Sequence, residues 1–255
     1  GENLKKVLEK WDYLRSKDES VASFYKAAPG GKRTISPYSQ NMLWRELDLN
    51  QESGCVRSLE FAYSQEGGLA ILFGNIAYNG CVVKTGAVPG QMLKFSGKAV
   101  VFDDQDNALS AIDGGKIEDG SVIVIRYEGP KGGPGMQEML KPTMSMKAQG
   151  IEQTCAIITD GRYSGGSAGL AIGHISPEAA EEGTIGIIEN GDIIEIDIPN
   201  RQINLLLAKE EIENRRQNKD RWLPNGNRSR VITKALRSYA AFASSADKGG
   251  YRDVP

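Results

Sequence analysis

From residue 68 onward the sequence is a succession of short β-branched runs divided by glycine: GLAILFGNIA, GCVVKTGAV, GKAVVF, SVIVIRY, TCAIITD, GTIGIIE and DIIEIDI. Each run is of strand length, and each ends near a turn signal such as DGG at 113–115, EDGS at 118–121 or ENGD at 189–192. The helical stretches between them, DDQDNALSAI and SPEAAEE, are few and short. This many strands with so few helices predicts a mixed α/β chain, a β-barrel or sandwich with helices on its flank. The stretch DIIEIDIPNRQINLLL alternates apolar and polar residues, as a half-exposed antiparallel hairpin does. AKEEIENRRQNKDRW reads as a charged surface helix and SRVITKALRSYAAFASSA as an amphipathic one. Ahead of the strands, Leu4, Val7, Leu8, Trp11 and Leu14 recur at helical spacing, and PGGKRT ends that pattern. We expect residues 1–35 to form a helical arm or linker and residues 36–255 the main domain.

A chain of 255 residues allows one large domain or two small ones. Its net charge of −2 argues against a dedicated nucleic-acid surface. It contains no apolar run of membrane-spanning length, so we expect no membrane span. GENLKKVLEKWDYL lacks the apolar core of a signal peptide. It also lacks an initiator Met, so we expect the chain to begin inside a longer protein. The three cysteines, Cys55, Cys81 and Cys155, are far apart and form no CxxC pair. That excludes a self-contained zinc knuckle. It suits a reducing, cytoplasmic setting, with the cysteines as small buried hydrophobes.

Two stretches carry candidate chemistry. In RYEGPKGGPGMQEML, residues 126–140, a strand delivers a glycine-rich loop, and MQEML reads as the start of a short helix. Such a loop brings backbone N–H groups close to an anion. It lacks the GK[ST] ending of a P-loop, and the chain has no GxGxxG. Glu128 and Glu138 flank it, and a carboxylate there is a reasonable Mg²⁺ ligand. In CAIITDGRYSGGSAG a buried strand ends in a second glycine loop, where Gly165 and Gly166 leave Ser164 unshielded. Their N–H groups could hold a carboxylate. Gly165-Gly166-Ser167-Ala168-Gly169 also matches the GxSxG of serine hydrolases. That pattern is short, and the one histidine, His174, follows too closely for the hydrolase order of residues. His174 reads instead as a structural residue before a helix with Ser176 as N-cap and Pro177 in its first turn. Ser164 is left without a base, so any activity it has requires a metal ion to lower its pKa.

RYEGPKGGPGMQEML followed by ITDGRYSGGSAGLAIGHISPEAA resembles the C-terminal signature of the dihydroxy-acid, phosphogluconate and sugar-acid dehydratases. SGCVRSLEFAYSQEGGLAILFGNIAYNGCVVKT, LKFSGKAVVFDDQDNALSAI, GTIGIIENGDIIEIDIPNR and ALRSYAAFASSADKGGYRD are similar to the branched-chain amino-acid member of that family. The resemblance implies a swivelling β/β/α barrel-like domain. It implies dehydration of 2,3-dihydroxy-3-methylbutanoate and 2,3-dihydroxy-3-methylpentanoate to 2-keto acids in valine, isoleucine and leucine synthesis. It implies two cofactors, Mg²⁺ and an iron–sulfur cluster, with Ser164 matching the general base and Glu138 the Mg²⁺ ligand. Glu128 is the less favoured alternative ligand. By the logic of the loop, Gly165, Gly166 and Ser167 would line the pocket for the substrate carboxylate.

The match has departures. Family members more often read GRFSGGTSGLS, against Tyr163, Ser167, Ala168 and Ala171 here, and KTAGV where this chain has KTGAV. The family's cluster cysteines and remaining Mg²⁺ ligands lie in an N-terminal domain, and none of the three cysteines here sits in a cluster motif. We therefore expect this chain to carry one wall of an active site, to pair with its own N-terminal domain in a homodimer, and to be inactive alone. A sugar-acid dehydratase and a non-catalytic domain that binds a small acid or a partner protein are the rival readings.

Overall fold

A computed structural model of the chain describes residues 50–54, 58, 60–62, 67–220, 222–223, 228 and 230–254. The expected arm at 1–35 lies outside the described residues. The chain divides into two units, Gly1–Glu66 and Gly67–Pro255. In the first, the Asn50 side chain accepts the Glu52 and Ser53 N–H groups (2.9 and 3.0 Å). The second holds all the strands described below.

Those strands are β1 (Ala70–Leu72), β2 (Gly80–Val83), β3 (Lys94–Phe102), β4 (Ser121–Ile125), β5 (Ala156–Thr159), β6 (Leu170–Ser176), β7 (Ile193–Asp197) and β8 (Gln202–Leu205). They form one eight-stranded sheet in the order β1-β2-β6-β5-β4-β3-β7-β8. The middle four, β3 to β6, run parallel, and the outer pairings are antiparallel. The sheet curls until its ends meet. Phe73 bridges Gln202, and Ile203 donates its N–H to the Phe73 carbonyl (2.9 Å). A side chain completes the seam where the backbone ladder stops. The Asn75 amide accepts the Leu205 N–H (2.7 Å) and donates to the Leu205 carbonyl (2.8 Å), as a paired strand residue would. The expected mixed α/β barrel is the fold found.

Helices α1 (Gln105–Asp113) and α2 (Leu140–Gln149) are the crossovers that parallel strands require. Asp104 starts α1 by accepting the Asn107 N–H (2.8 Å), and Gly150, at φ +76°, ends α2 in a left-handed conformation. Strand β4 is buried along its whole length. Its Val122 and Val124 face the barrel interior, while Ile123 and Ile125 face the helices. Each such side chain stabilises the fold by about 1.5–3 kcal/mol on burial. Helices α3 (Lys209–Gln217) and α4 (Lys234–Phe242) coincide with the two helical stretches expected near the end of the sequence.

Three local expectations are corrected. GTIGIIE is a 3₁₀ turn at Thr184–Ile187, not a strand. Its Thr184, Ile185, Gly186 and Ile187 are buried, so the run is apolar for packing without strand pairing. MQEML does not begin the helix. Glu138 pairs in an isolated bridge with Arg162, and α2 starts at Leu140. His174 lies inside β6 rather than ahead of a helix, and Ser176 is no N-cap. The Ser176 hydroxyl donates to Asp247 (2.5 Å), and the following turn, Ala179–Glu181, is 3₁₀.

Candidate active site

β4 and β5 are parallel neighbours, with Ile125 opposite Thr159. The two glycine loops therefore leave the sheet side by side at its C-terminal edge, where α/β folds place ligands. At their root lies Asp160, fully buried. Its carboxylate accepts N–H groups from Tyr127 (3.0 Å), Glu128 (2.8 Å) and Ala179 (2.9 Å). Those bonds and Arg228 favour the charged form, but complete burial outweighs them and raises its pKa. Glu178 accepts the Lys131 and Gly132 N–H groups (both 2.8 Å). Burial first, then the nearby Asp160 carboxylate, push it up to about 8.

Arg228 closes the group. Its guanidinium donates to the carbonyls of Tyr127 (2.5 Å) and Gly132 (2.8 Å) and to the Glu128 carboxylate (3.1 Å). Glu128 also accepts the Gln105 N–H (3.2 Å), and burial pushes its pKa up to about 7 despite Arg228. The anion-binding loop of 126–136 is thus filled from within: its N–H groups are taken by the carboxyl groups of Asp160 and Glu178. Neither these two carboxylates nor Arg228 was singled out from the sequence. The one local signal was the Asp at the end of the apolar run AIITD.

The loop then delivers Glu138, which is exposed. Its bridge to Arg162 is fixed by the Met139 N–H on the Arg162 carbonyl (3.0 Å) and by Arg162 Nε on the Met136 carbonyl (2.6 Å). Ser164 follows two residues after Arg162. Its Oγ accepts the Gly166 N–H (3.2 Å), and its carbonyl accepts the Ser167 N–H (3.1 Å), which makes a tight turn. The Lys84 ammonium donates to the Gly165 carbonyl. Gly165 and Gly166 are exposed, whereas Ser167 is buried, its hydroxyl 3.2 Å from that of Thr143 on α2. That bond is with Thr143 and not with His174, whose backbone N–H goes to the Gly161 carbonyl (2.8 Å). Burial, then the Arg162 charge, lower the pKa of the His174 ring. The GxSxG match therefore builds no hydrolase dyad.

Glu138 suits one oxygen position on a divalent cation such as Mg²⁺, which commonly takes only one or two carboxylates from protein. Among the described residues no group of three or more His, Cys, Asp and Glu side chains could hold a metal. Cys81 and Cys155 are the buried hydrophobes expected, in separate cores. Their thiols face the carbonyls of Leu72 (3.5 Å) and Glu118 (3.3 Å). Burial pushes Cys81 up to about 12. Neither fits as a thiolate ligand of an iron–sulfur cluster; Cys55 lies outside the described residues. No helix among the described residues is long and apolar enough to cross a membrane.

A comparison with protein-family models matches residues 54–250 to the dihydroxy-acid/6-phosphogluconate dehydratase C-terminal family. The matched span takes in the whole sheet, both glycine loops and the buried carboxylates. On that match, and with the fold it fits, this chain belongs to the family of dihydroxy-acid and 6-phosphogluconate dehydratase C-terminal domains, a family of hydro-lyases.

Proposed function

We propose that this chain is the C-terminal domain of a dihydroxy-acid dehydratase and supplies one wall of its active site. The observation that carries this reading is the bridge between Glu138 and Arg162, which sets an exposed acidic residue beside the segment that leads into the Ser164 turn. In the reaction, the substrate is a 2,3-dihydroxy-3-methyl acid of four or five main-chain carbons. Ser164 Oγ takes the proton from C2 as the C3–O bond breaks and the hydroxide departs, so that with return of the proton from Ser164 one water is lost, and the resulting enol tautomerises to a 2-keto acid. Glu138 would hold Mg²⁺, and such a cation lowers the pKa of a nearby hydroxyl. The exposed Gly165 and Gly166 backbone would face the substrate carboxylate, and Ser167, tied to Thr143, would support the turn from beneath.

The thiolates of an iron–sulfur cluster and the other cation ligands would come from another domain of the same protein, in a cytoplasmic homodimer. The isolated chain would then be inactive. The test uses both forms. The intact, cofactor-loaded enzyme should convert 2,3-dihydroxyisovalerate in preference to 6-phosphogluconate. Ser164→Ala should lose roughly 10²–10⁴-fold in kcat with unchanged metal content. The chain alone, after anaerobic iron–sulfide reconstitution with Mg²⁺, should give neither cluster absorbance nor keto acid. Substantial turnover by Ser164→Ala would remove Ser164 from its role, and cluster-dependent product from the chain alone would overturn the one-wall reading.

A further inference from the structure

Ser164 and Glu138 sit on two loops, and neither is anchored by its own backbone alone. Both loops converge on one buried side chain. Asp160 opens the segment that carries Ser164, four residues on. Its two oxygens hold the Tyr127 and Glu128 N–H groups, at the start of the loop that ends in Glu138. The same carboxylate takes the Ala179 N–H, which ties in the turn bearing Glu178. Glu178 in turn holds the middle of the first loop through Lys131 and Gly132. Gly161, the next residue, packs so closely that a Cβ there would lie 2.8 Å from Glu128 Cβ and 2.6 Å from Met139 Cε.

We propose that Asp160 is a positioning residue of this active site, whose side chain holds the roots of both loops to one point and so, together with the Glu138–Arg162 bridge, sets the spacing of Glu138 and Ser164. The inference rests on the proposed roles of those two residues. Three N–H donors on two oxygens require that both oxygens accept. An asparagine of the same shape has one acceptor oxygen, and its NH₂ would face a donor. Asp160→Asn therefore removes at least one of these ties without opening a cavity and leaves the Glu138–Arg162 bridge as the main link between the loops. Residues that orient a metal ligand from behind typically alter metal affinity or activity by roughly 10–100-fold when replaced.

The experiment compares Asp160→Asn with Ile194→Ala in the loaded full-length enzyme. Ile194 lies in the barrel interior on β7, which pairs with β3 and β8 and not with the strands that lead into the two loops. Two quantities are read: steady-state kinetics and Mn²⁺ affinity by electron paramagnetic resonance, with Mn²⁺ in place of Mg²⁺. Asp160→Asn should lower kcat and weaken Mn²⁺ binding, each about tenfold or more, with KM little changed. Ile194→Ala should lower the melting temperature but leave both quantities near wild type. Wild-type kcat and Mn²⁺ affinity in Asp160→Asn would overturn the proposal. So would an equal loss in Ile194→Ala at matched stability, since the effect would then be structural. If Asp160→Asn does not fold, Asp160→Glu replaces it, which moves the carboxyl group by one methylene, with the same two losses expected and wild-type values overturning the proposal. Turnover retained by Ser164→Ala would defeat the proposed reaction instead, and Mn²⁺ affinity would still decide whether Asp160 positions Glu138.

Discussion

At Gly129, Gly132 and Gly133 of the loop from Arg126 to Met136, glycine stands where atoms crowd; in the turn from Ser164 to Ser167, it stands where space is open. A Cβ on Gly129 would lie 2.5 Å from Glu178 Oε2, and one on Gly133 would lie 2.7 Å from Glu128 Cα. A Cβ on Gly165 would meet nothing within 4 Å, and one on Gly166 only Ser164 Oγ at 3.7 Å. Both loops are glycine-rich, and both present backbone N–H groups. The first has its carboxyl partners built in and buried, so it serves as a foundation. The second keeps its surface clear, so it is the loop fit to meet a ligand. Glycine content alone does not separate the two roles; what surrounds the missing Cβ does.

The sharpest way to break this contrast is to disarm the foundation. Arg228→Met should destabilise the domain by roughly 3 kcal/mol, because it leaves Glu128 buried without its cation. Adding Glu128→Gln should recover part of that loss, and denaturant titration of the single and double variants measures the coupling. Gly133→Ala comes next, at about 1–3 kcal/mol, because its clash is with backbone that cannot rotate away.

The foundation should also respond to pH. Glu178 has a folded pKa of about 8 against an ordinary 4.5, so the folded state binds its proton more tightly than the unfolded chain does. Its contribution is fully present below pH 4.5 and is lost as pH rises through about 8. Glu128 adds the same sign between 4.5 and about 7. Thermal unfolding across that window should show a decline that Glu178→Gln flattens; an unchanged slope would mean that Glu178 is not protonated in the fold. The smallest effect belongs to the open turn. Gly165→Ala should shift stability by no more than about 0.5 kcal/mol. If it shifted stability as much as Gly133→Ala, the contrast between the loops would fail.

The architecture was legible because it is written in local apolar runs. SVIVI and AIIT name β4 and β5 directly, and the alternation in DIIEIDIPNRQINLLL names the β7–β8 hairpin. GTIGIIE misled for a physical reason. Burial makes a run apolar whether it pairs as a strand or packs as a 3₁₀ turn, and periodicity does not distinguish them over so few residues. The Ser164 turn was legible as a motif, since its bonds join residues two or three apart. The charged cluster was not, because its partners are backbone N–H groups, which every residue has, and because Glu128 and Arg228 are 100 positions apart. A lone Asp or Glu in the sequence looks the same whether it meets solvent or a buried ring of donors.

The geometry between β5 and β6 says something about descent. Leu170 stands opposite Ala156, so the chain leaving Thr159 has to return by only about three residues of strand, roughly 10 Å, and step across one strand spacing of about 4.8 Å. Residues 160–169 could reach about 33 Å if extended. The connection is some three times longer than the gap it crosses. Neighbouring parallel strands need a connection that leaves the sheet and returns, and Asp160, Gly161 and Arg162 serve the packing, so part of that length belongs to the fold; the rest carries the serine turn. A lineage that trimmed the turn would keep its barrel and lose its proposed chemistry in one step, so the length of this segment across relatives is a ready marker for which of them still carry out dehydration.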